Sequence, residues 1–512
     1  MTLREKIGQR LVGGFPGKTM SPEFIRMVRQ YKIANVILFQ HNVESCSQLK
    51  RLCDDIHRLV RQETGHGAFI TIDQEGGGVT RLPGDAVNVA GAMALAATGK
   101  PENAYTAARI TAGELRALGI NFNLAPVADV NSNPDNPIIG LRSYGDTPQQ
   151  VEAYALEALR GYLDGGVLAS AKHFPGHGDT ALDTHVSLPV IDKSLAELEQ
   201  LELRPFRALI EAGCPAVMTT HILFPQLEPD GVPGTMSRRI ITGLLRQRLG
   251  FGGLVVSDDM EMDAIGKYFG TARGVAAAIA AGVDLVFVSH SVERLEESFL
   301  EVEKRVLDGT ISMEEMDESV ARILRFRQRC CLPPEGTAGS PQSFRQSRKL
   351  RTDSICLVRG RVPAMGERPL FIGCADYRAG LVSSRETNST TFAGFMKARF
   401  GGDALVTAKD PTGEEVAAAA AMAEGHSSIF LNTYNGHLFP GQLALMKALA
   451  QLHIPMAVTA LRNPYDLRSL PEGVCGLAAW DYSMETLECL LPILAGEAEA
   501  RGHLPVSLGG GV

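Results

Sequence analysis

From the start of the chain to about residue 335, short apolar runs alternate with longer amphipathic segments, the pattern of repeated β-α units around a parallel sheet. The runs predict strands over 10–14, 35–39, 68–73, 121–125, 167–172, 216–220, 254–258 and 284–289. Eight runs separated by helical periods fit a (β/α)8 TIM-like barrel better than an open sheet, for which fewer strands and a glycine-rich dinucleotide turn are expected. Helix signals lie between the runs. Thr147-Pro148 forms an N-cap and first-turn pair ahead of Val151, Tyr154, Ala155, Leu159 and Tyr162, and Ser312 with Glu315 predicts a capping box before Val320, Ile323 and Leu324.

The pattern then breaks. Residues 332–350 are rich in Pro, Gly and Ser without an apolar period and are expected to be a linker. Beyond it, strand-like runs at 369–373, 404–408, 428–432, 456–460 and 476–479 alternate with alanine-rich helical segments at 415–423 and 442–451. The expected fold class is therefore α/β: a catalytic barrel domain over 1–331, the linker, and an α/β sandwich domain over 351–512.

Composition narrows the function classes. At 512 residues the chain exceeds what one core supports, and its 45% hydrophobic and 21% charged residues are ordinary for a globular protein. It has no apolar run of about 18 residues, so no membrane partner is expected. A net charge of -8 with scattered basic residues gives no footprint for nucleic acid and suits a small-molecule or neutral polymeric substrate. The charged N-terminus lacks the apolar core of a signal peptide, which makes the cytoplasm the expected compartment. Nine widely spread cysteines without a C-x-x-C pair suggest neither a disulfide framework nor a zinc knuckle.

In a barrel the reactive groups sit at the C-terminal ends of the strands. Several predicted ends carry residues that do not belong in a core: Asp73 before Gln74-Glu75-Gly76-Gly77-Gly78, then Asp129-Val130-Asn131 leading to Arg142, Lys172-His173, Thr220-His221, and Ser257-Asp258-Asp259. A carboxylate fixed at Asp258 can attack an electrophilic carbon, although aspartate at such a place also caps helices, a role better suited to Asp259. Residues 172–185 gather one lysine, three histidines and two aspartates on a loop that Pro175, Gly176 and Gly178 keep from being helical. Within it Asp183 can orient His185 and raise its basicity, giving a dyad that donates and retakes a proton; the alternative is a loop histidine satisfied by its neighbours.

A metal set of His173, His177 and His185 is disfavoured by Pro175-Gly176, which breaks the helix such spacing needs, and by the adjacent Lys172; no metal or cofactor is expected. Lys172 and Arg142 can pair with buried aspartates and still bind sugar hydroxyls. The three glycines at 76–78 lack the Gly-Lys-Ser/Thr of a phosphate loop.

Taken in order, Asp73-Gln74-Glu75-Gly76-Gly77, the Gly140 to Gly145 segment with Arg142-Ser143, Lys172-His173-Phe174-Pro175-Gly176-His177-Gly178, Asp183-Thr184-His185 and Ser257-Asp258-Asp259-Met260 resemble the motifs of glycoside hydrolase family 3, in its bacterial β-N-acetylglucosaminidase branch. The resemblance spans nearly all of the first 330 residues. It implies a retaining mechanism with Asp258 as nucleophile, His185 as acid/base and Asp183 orienting His185, while Asp73, Arg142, Lys172 and His173 bind the terminal sugar. The implied partner is a carbohydrate ending in N-acetylglucosamine, from muropeptides or chitin oligosaccharides. A phosphorylase using the same groups, a β-glucosidase and a catalytically idle sugar binder are the alternatives. The family often has arginine where this chain has Gly78, so that contact is either missing or supplied from elsewhere, for example by Arg81. The second domain, with Leu461-Arg462-Asn463-Pro464-Tyr465-Asp466-Leu467, resembles that of the two-domain members, and a structural or substrate-edge role is expected for it.

Overall fold

The computed structural model describes residues 1–180, 188–331, 333–377, 383 and 390–509. Eight parallel strands close into a barrel in chain order: β1 (Leu11–Gly13), β2 (Asn35–Leu38), β3 (Phe69–Ile72), β4 (Phe122–Asn123), β5 (Leu168–Phe174), β6 (Ala216–Thr219), β7 (Leu254–Asp259) and β8 (Leu285–Val288). β1 pairs with both β2 and β8, which completes the ring. Every strand lies on a predicted run, because a barrel strand is covered on both faces and reads as continuous apolar sequence. The two faces still divide by alternation. Val36 and Leu38 pack outward with the helices, whereas Ile37, Phe69, Phe122, Met218, Val256 and Phe287 fill the interior.

One end of the barrel is sealed. The helix Met313–Cys330 adds Ile323, Phe326 and Cys330 to the interior cluster. Its Arg327 guanidinium lies 4.4 Å from the Phe69 ring centre and donates to the carbonyls of Ala34 (3.2 Å) and Gly67 (2.5 Å), residues just upstream of β2 and β3. Among the described residues it is the opposite, C-terminal mouth that is left open to a ligand. Ser312 caps this helix by accepting the Glu315 N–H, but the reciprocal bond of the expected capping box is not formed, and Thr147 holds its N-cap position without a side-chain bond.

The second sheet has six strands, β9 (Cys356–Arg359), β10 (Pro369–Cys374), β11 (Asp403–Thr407), β12 (Ser428–Thr433), β13 (Met456–Ala460) and β14 (Cys475–Ala478), in the order β11-β10-β12-β13-β14-β9. Five coincide with predicted runs. The sixth, β9, is an antiparallel edge strand in which Cys356 alone is fully buried, so its apolar signal is weak. The stretch expected to be a linker contains a helix, Pro341–Ser354. Polar contacts anchor it: Arg351 pairs with Asp481 and donates to Thr486 (3.0 Å), and Ser347 Oγ donates to the Asn88 carbonyl of the barrel (3.2 Å). Apolar periodicity does not register a helix held this way.

Candidate active site

Two strands lose register near their C-terminal ends, β5 against β6 between Ala171 and Phe174, and β7 against β8 between Val256 and Asp259. Irregular pairing at a barrel rim re-aims side chains, and these are the strands that carry Lys172-His173 and Asp258. All three residues line a cleft of about 760 Å³ at the mouth, together with Asp73, Arg142, His177, Phe39 and His290. Its size is that of a small-molecule site.

Asp73, Lys172 and Arg142 of the cleft are joined by an ion network centred on the buried Glu75. Lys172 Nζ lies 2.8 Å from Asp73 Oδ1 and 2.6 Å from Glu75 Oε1, while Arg142 grips Glu75 with two parallel bonds, Nε to Oε2 at 2.9 Å and Nη2 to Oε1 at 2.8 Å. Burial alone would raise the Glu75 pKa, but Arg142 and Lys172 outweigh it and hold the carboxyl well below its usual range. Burial likewise works against the charged Lys172, and Asp73 with Glu75 reverses it, so the ammonium is held above its ordinary pKa. These groups stay ionised and paired. They suit hydrogen bonding to hydroxyls rather than proton transfer.

Asp129, just past β4, fixes His173. Its Oδ2 lies 2.7 Å from His173 Nδ1, and its Oδ1 accepts the backbone N–H of His173 (3.1 Å) and of His177 (2.8 Å). Burial would raise Asp129, yet His173 and these bonds bring it below the usual carboxylate value. On the other side of the ring, Nε2 lies 3.3 Å from Arg142 Nη2.

His177 is buried beside His173, and burial followed by the neighbouring ring lowers it from 6.5 to about 4. Because the folded value lies below the unfolded one, the unfolded chain takes up the proton first as pH falls. The stability present above 6.5 is therefore lost between 6.5 and about 4, by about 3 kcal/mol. Urea unfolding across that window should show a flatter pH profile for His177→Asn; parallel profiles for the two proteins would contradict the assignment.

The two aspartates at the end of β7 divide their roles. Asp259 Oδ1 accepts the N–H of Glu261 (3.2 Å) and of Ser289 (3.3 Å), and its Oδ2 lies 3.3 Å from His290 Nε2. Asp258 Oδ1 accepts the Asp259 N–H at 2.8 Å, and its carboxylate faces the cleft. His221, another strand-end candidate, bonds Thr235 (2.9 Å) and the Asp259 carbonyl (3.0 Å) and props the loop.

Asp73, Arg142, Lys172, His173 and Asp258 thus meet in one cleft, whereas Asp183 and His185 lie outside the described residues. Sequence reasoning assigned no role to Glu75 or Asp129. The available signal was their place: each is an acid just beyond a strand end, in a barrel whose next strands bring cations to the same mouth. Arg81 lines the cleft near Gly78, but a second guanidinium also approaches. Arg462 Nη1, from the second sheet, lies 3.7 Å from where a Cβ on Gly78 would stand. Among the described residues no group of three or more His, Cys, Asp or Glu side chains is arranged to hold a metal ion, and the Nδ1 atoms of His173 and His177 are engaged by Asp129 and Thr180. No helix among the described residues is long and apolar enough to cross a membrane.

Residues 2–326 match the glycosyl hydrolase family 3 N-terminal domain. A solved β-N-acetylglucosaminidase of glycoside hydrolase family 3 from Paenibacillus sp. str. FPU-7 is 36% identical and superposes with a TM-score of 0.93 over 100% of both chains. The β-N-acetylglucosaminidase/β-glucosidase of Cellulomonas fimi is 31% identical over 84% of this chain and 82% of its own. The β-hexosaminidase A of Pseudoalteromonas piscicida is 32% identical over 67% of this chain, which spans 62% of that relative's length.

Proposed function

The chain belongs to glycosyl hydrolase family 3, and from that membership we propose that its barrel mouth releases terminal β-linked N-acetylglucosamine from oligosaccharides with retention of configuration. One observation carries this reading: the Asp258 carboxylate shares a cleft with Asp73, Arg142 and Lys172, which the buried Glu75 ties into one ion-paired set. The paired groups hold the sugar hydroxyls and fix the ring. Asp258 attacks the anomeric carbon, the bond to the leaving oxygen breaks, and that oxygen takes a proton from His185. Water then adds to the same carbon, returns a proton to His185, and frees Asp258 as a carboxylate. Asp183 orients His185 throughout. The β-hexosaminidase and β-N-acetylglucosaminidase names of the relatives support the substrate class. Muropeptides and chitin oligosaccharides are the natural candidates.

His185→Ala should lower kcat/KM for chitobiose by about 10²- to 10⁴-fold and less for an aryl glycoside whose leaving group needs no proton. Equal losses on both substrates would count against an acid at this position. A second reading, β-glucosidase activity, draws on the double name of the Cellulomonas fimi relative. Product analysis on chitobiose and cellobiose separates the two, with release of N-acetylglucosamine expected to dominate. Repeating it in phosphate buffer tests for sugar 1-phosphate, since a histidine base does not repel phosphate as a carboxylate would.

A further inference from the structure

We propose that the second sheet positions the sugar-binding guanidinium of Arg142, through a relay from Tyr465 by way of Asn131 to the Gly140 turn. The inference rests on the role given to Arg142 above. Arg142 is not on a strand. It ends a single 3-10 turn, Gly140–Arg142, in the long connection between β4 and the helix Pro148–Asp164. Its aim is therefore set by whatever holds that turn.

Asn131 holds it from below. This buried side chain accepts the Gly140 N–H at Oδ1 (3.1 Å) and donates from Nδ2 to the Tyr465 hydroxyl (2.8 Å). One amide thus joins the turn to the second sheet, and neither end is exposed to competing water.

The sheet also touches the turn directly. Gly140 has φ +41°, and a Cβ there would stand 2.8 Å from Asn463 Oδ1, so only glycine allows this approach without displacement. Arg462, one residue earlier, stands over Gly78. The segment 462–465 accordingly presses on both stretches of barrel chain that lead from the Glu75–Arg142 ion pair.

That segment is itself anchored. Asn463 Nδ2 donates to Asn435 Oδ1 (3.0 Å), and Asp466 Oδ1 accepts the His437 N–H (2.8 Å), which ties the segment to the loop after β12. The far end of the Arg142 loop is tied as well, since Gln150 Nε2 donates to the carbonyls of Tyr144 (2.7 Å) and Pro505 (2.9 Å). A bidentate pair tolerates little misplacement, so a support that shifts the turn by even part of an ångström weakens sugar binding.

Tyr465→Phe in the full-length protein removes one hydroxyl and tests the relay. The affinity for N-acetylglucosamine, measured by calorimetry, should fall about five- to tenfold and KM for chitobiose should rise, with kcat changing less than about twofold. Gly140→Ala should weaken binding by about tenfold or more. A merely structural role would reduce thermal stability or the active fraction and leave KM and sugar affinity unchanged, and that result overturns the inference. In an Arg142→Ala background Tyr465→Phe should have no further effect on affinity; additive losses overturn the relay. If Arg142→Ala alone leaves affinity unchanged, the site assignment fails and takes the inference with it.

Discussion

Asp258→Ala should lower kcat/KM for a nitrophenyl N-acetyl-β-glucosaminide by about four orders of magnitude or more while the chain remains folded. Both halves of this expectation come from the end of β7. The strand delivers the Asp258 carboxylate into the cleft, where its Oδ1 also accepts the N–H of the next residue, Asp259. The loop is held mainly by Asp259, which accepts the N–H groups of Glu261 and Ser289. Asp259→Ala should therefore reverse the pattern, with a loss of stability and only an indirect loss of rate. Asp258→Asn keeps an oxygen for the local bond and still removes the proposed nucleophile. Activity of either Asp258 variant within tenfold of the parent would leave the mechanism without a nucleophile.

The second large effect is expected at Glu75. Its carboxylate meets both Lys172 and Arg142, and its side chain is only 6% exposed. Glu75→Ala leaves two buried cations short of an anion, and breaking a buried pair in this way costs about 3–5 kcal/mol. Asp73 still faces Lys172, so the larger disturbance falls on Arg142, whose guanidinium loses both of its parallel bonds. Chemical denaturation should show the loss of stability, and KM should rise by about tenfold or more as the sugar-binding groups lose their alignment. Glu75→Gln keeps the shape but not the charge and should fall between parent and Ala. A Glu75→Ala protein with parental stability and KM would show that the network is ornamental.

The barrel was legible because its strands are covered on both faces, which leaves a mainly apolar run in the sequence around each of β1 to β8. Asp73, Lys172, His173 and Asp258 could be singled out for the same reason, as polar residues at the ends of runs that are otherwise buried. What escaped has a different physical origin. The edge strand β9 is half exposed, and the helix Pro341–Ser354 is held by Arg351 and Ser347 rather than by an apolar stripe. Glu75 and Asp129 acquire their roles only from partners on other strands. The contacts of Arg462, Asn463 and Tyr465 with Gly78, Gly140 and Asn131 join residues more than 300 positions apart, and no local pattern carries that information. The roles proposed for Asp183 and His185 rest on the motif, and His185→Ala tests the acid/base.

The covalent intermediate tests the central claim most directly. A 5-fluoro-N-acetyl-β-glucosaminyl fluoride has a good leaving group and a destabilised second step, so it should accumulate as a glycosyl-enzyme. Tryptic digestion and fragment-ion mass spectrometry should place the added sugar on Asp258, within the peptide running from Leu249 to Lys267, with no adduct in Asp258→Asn. A label on any other residue, or steady turnover of this reagent without a covalent adduct, would contradict the account.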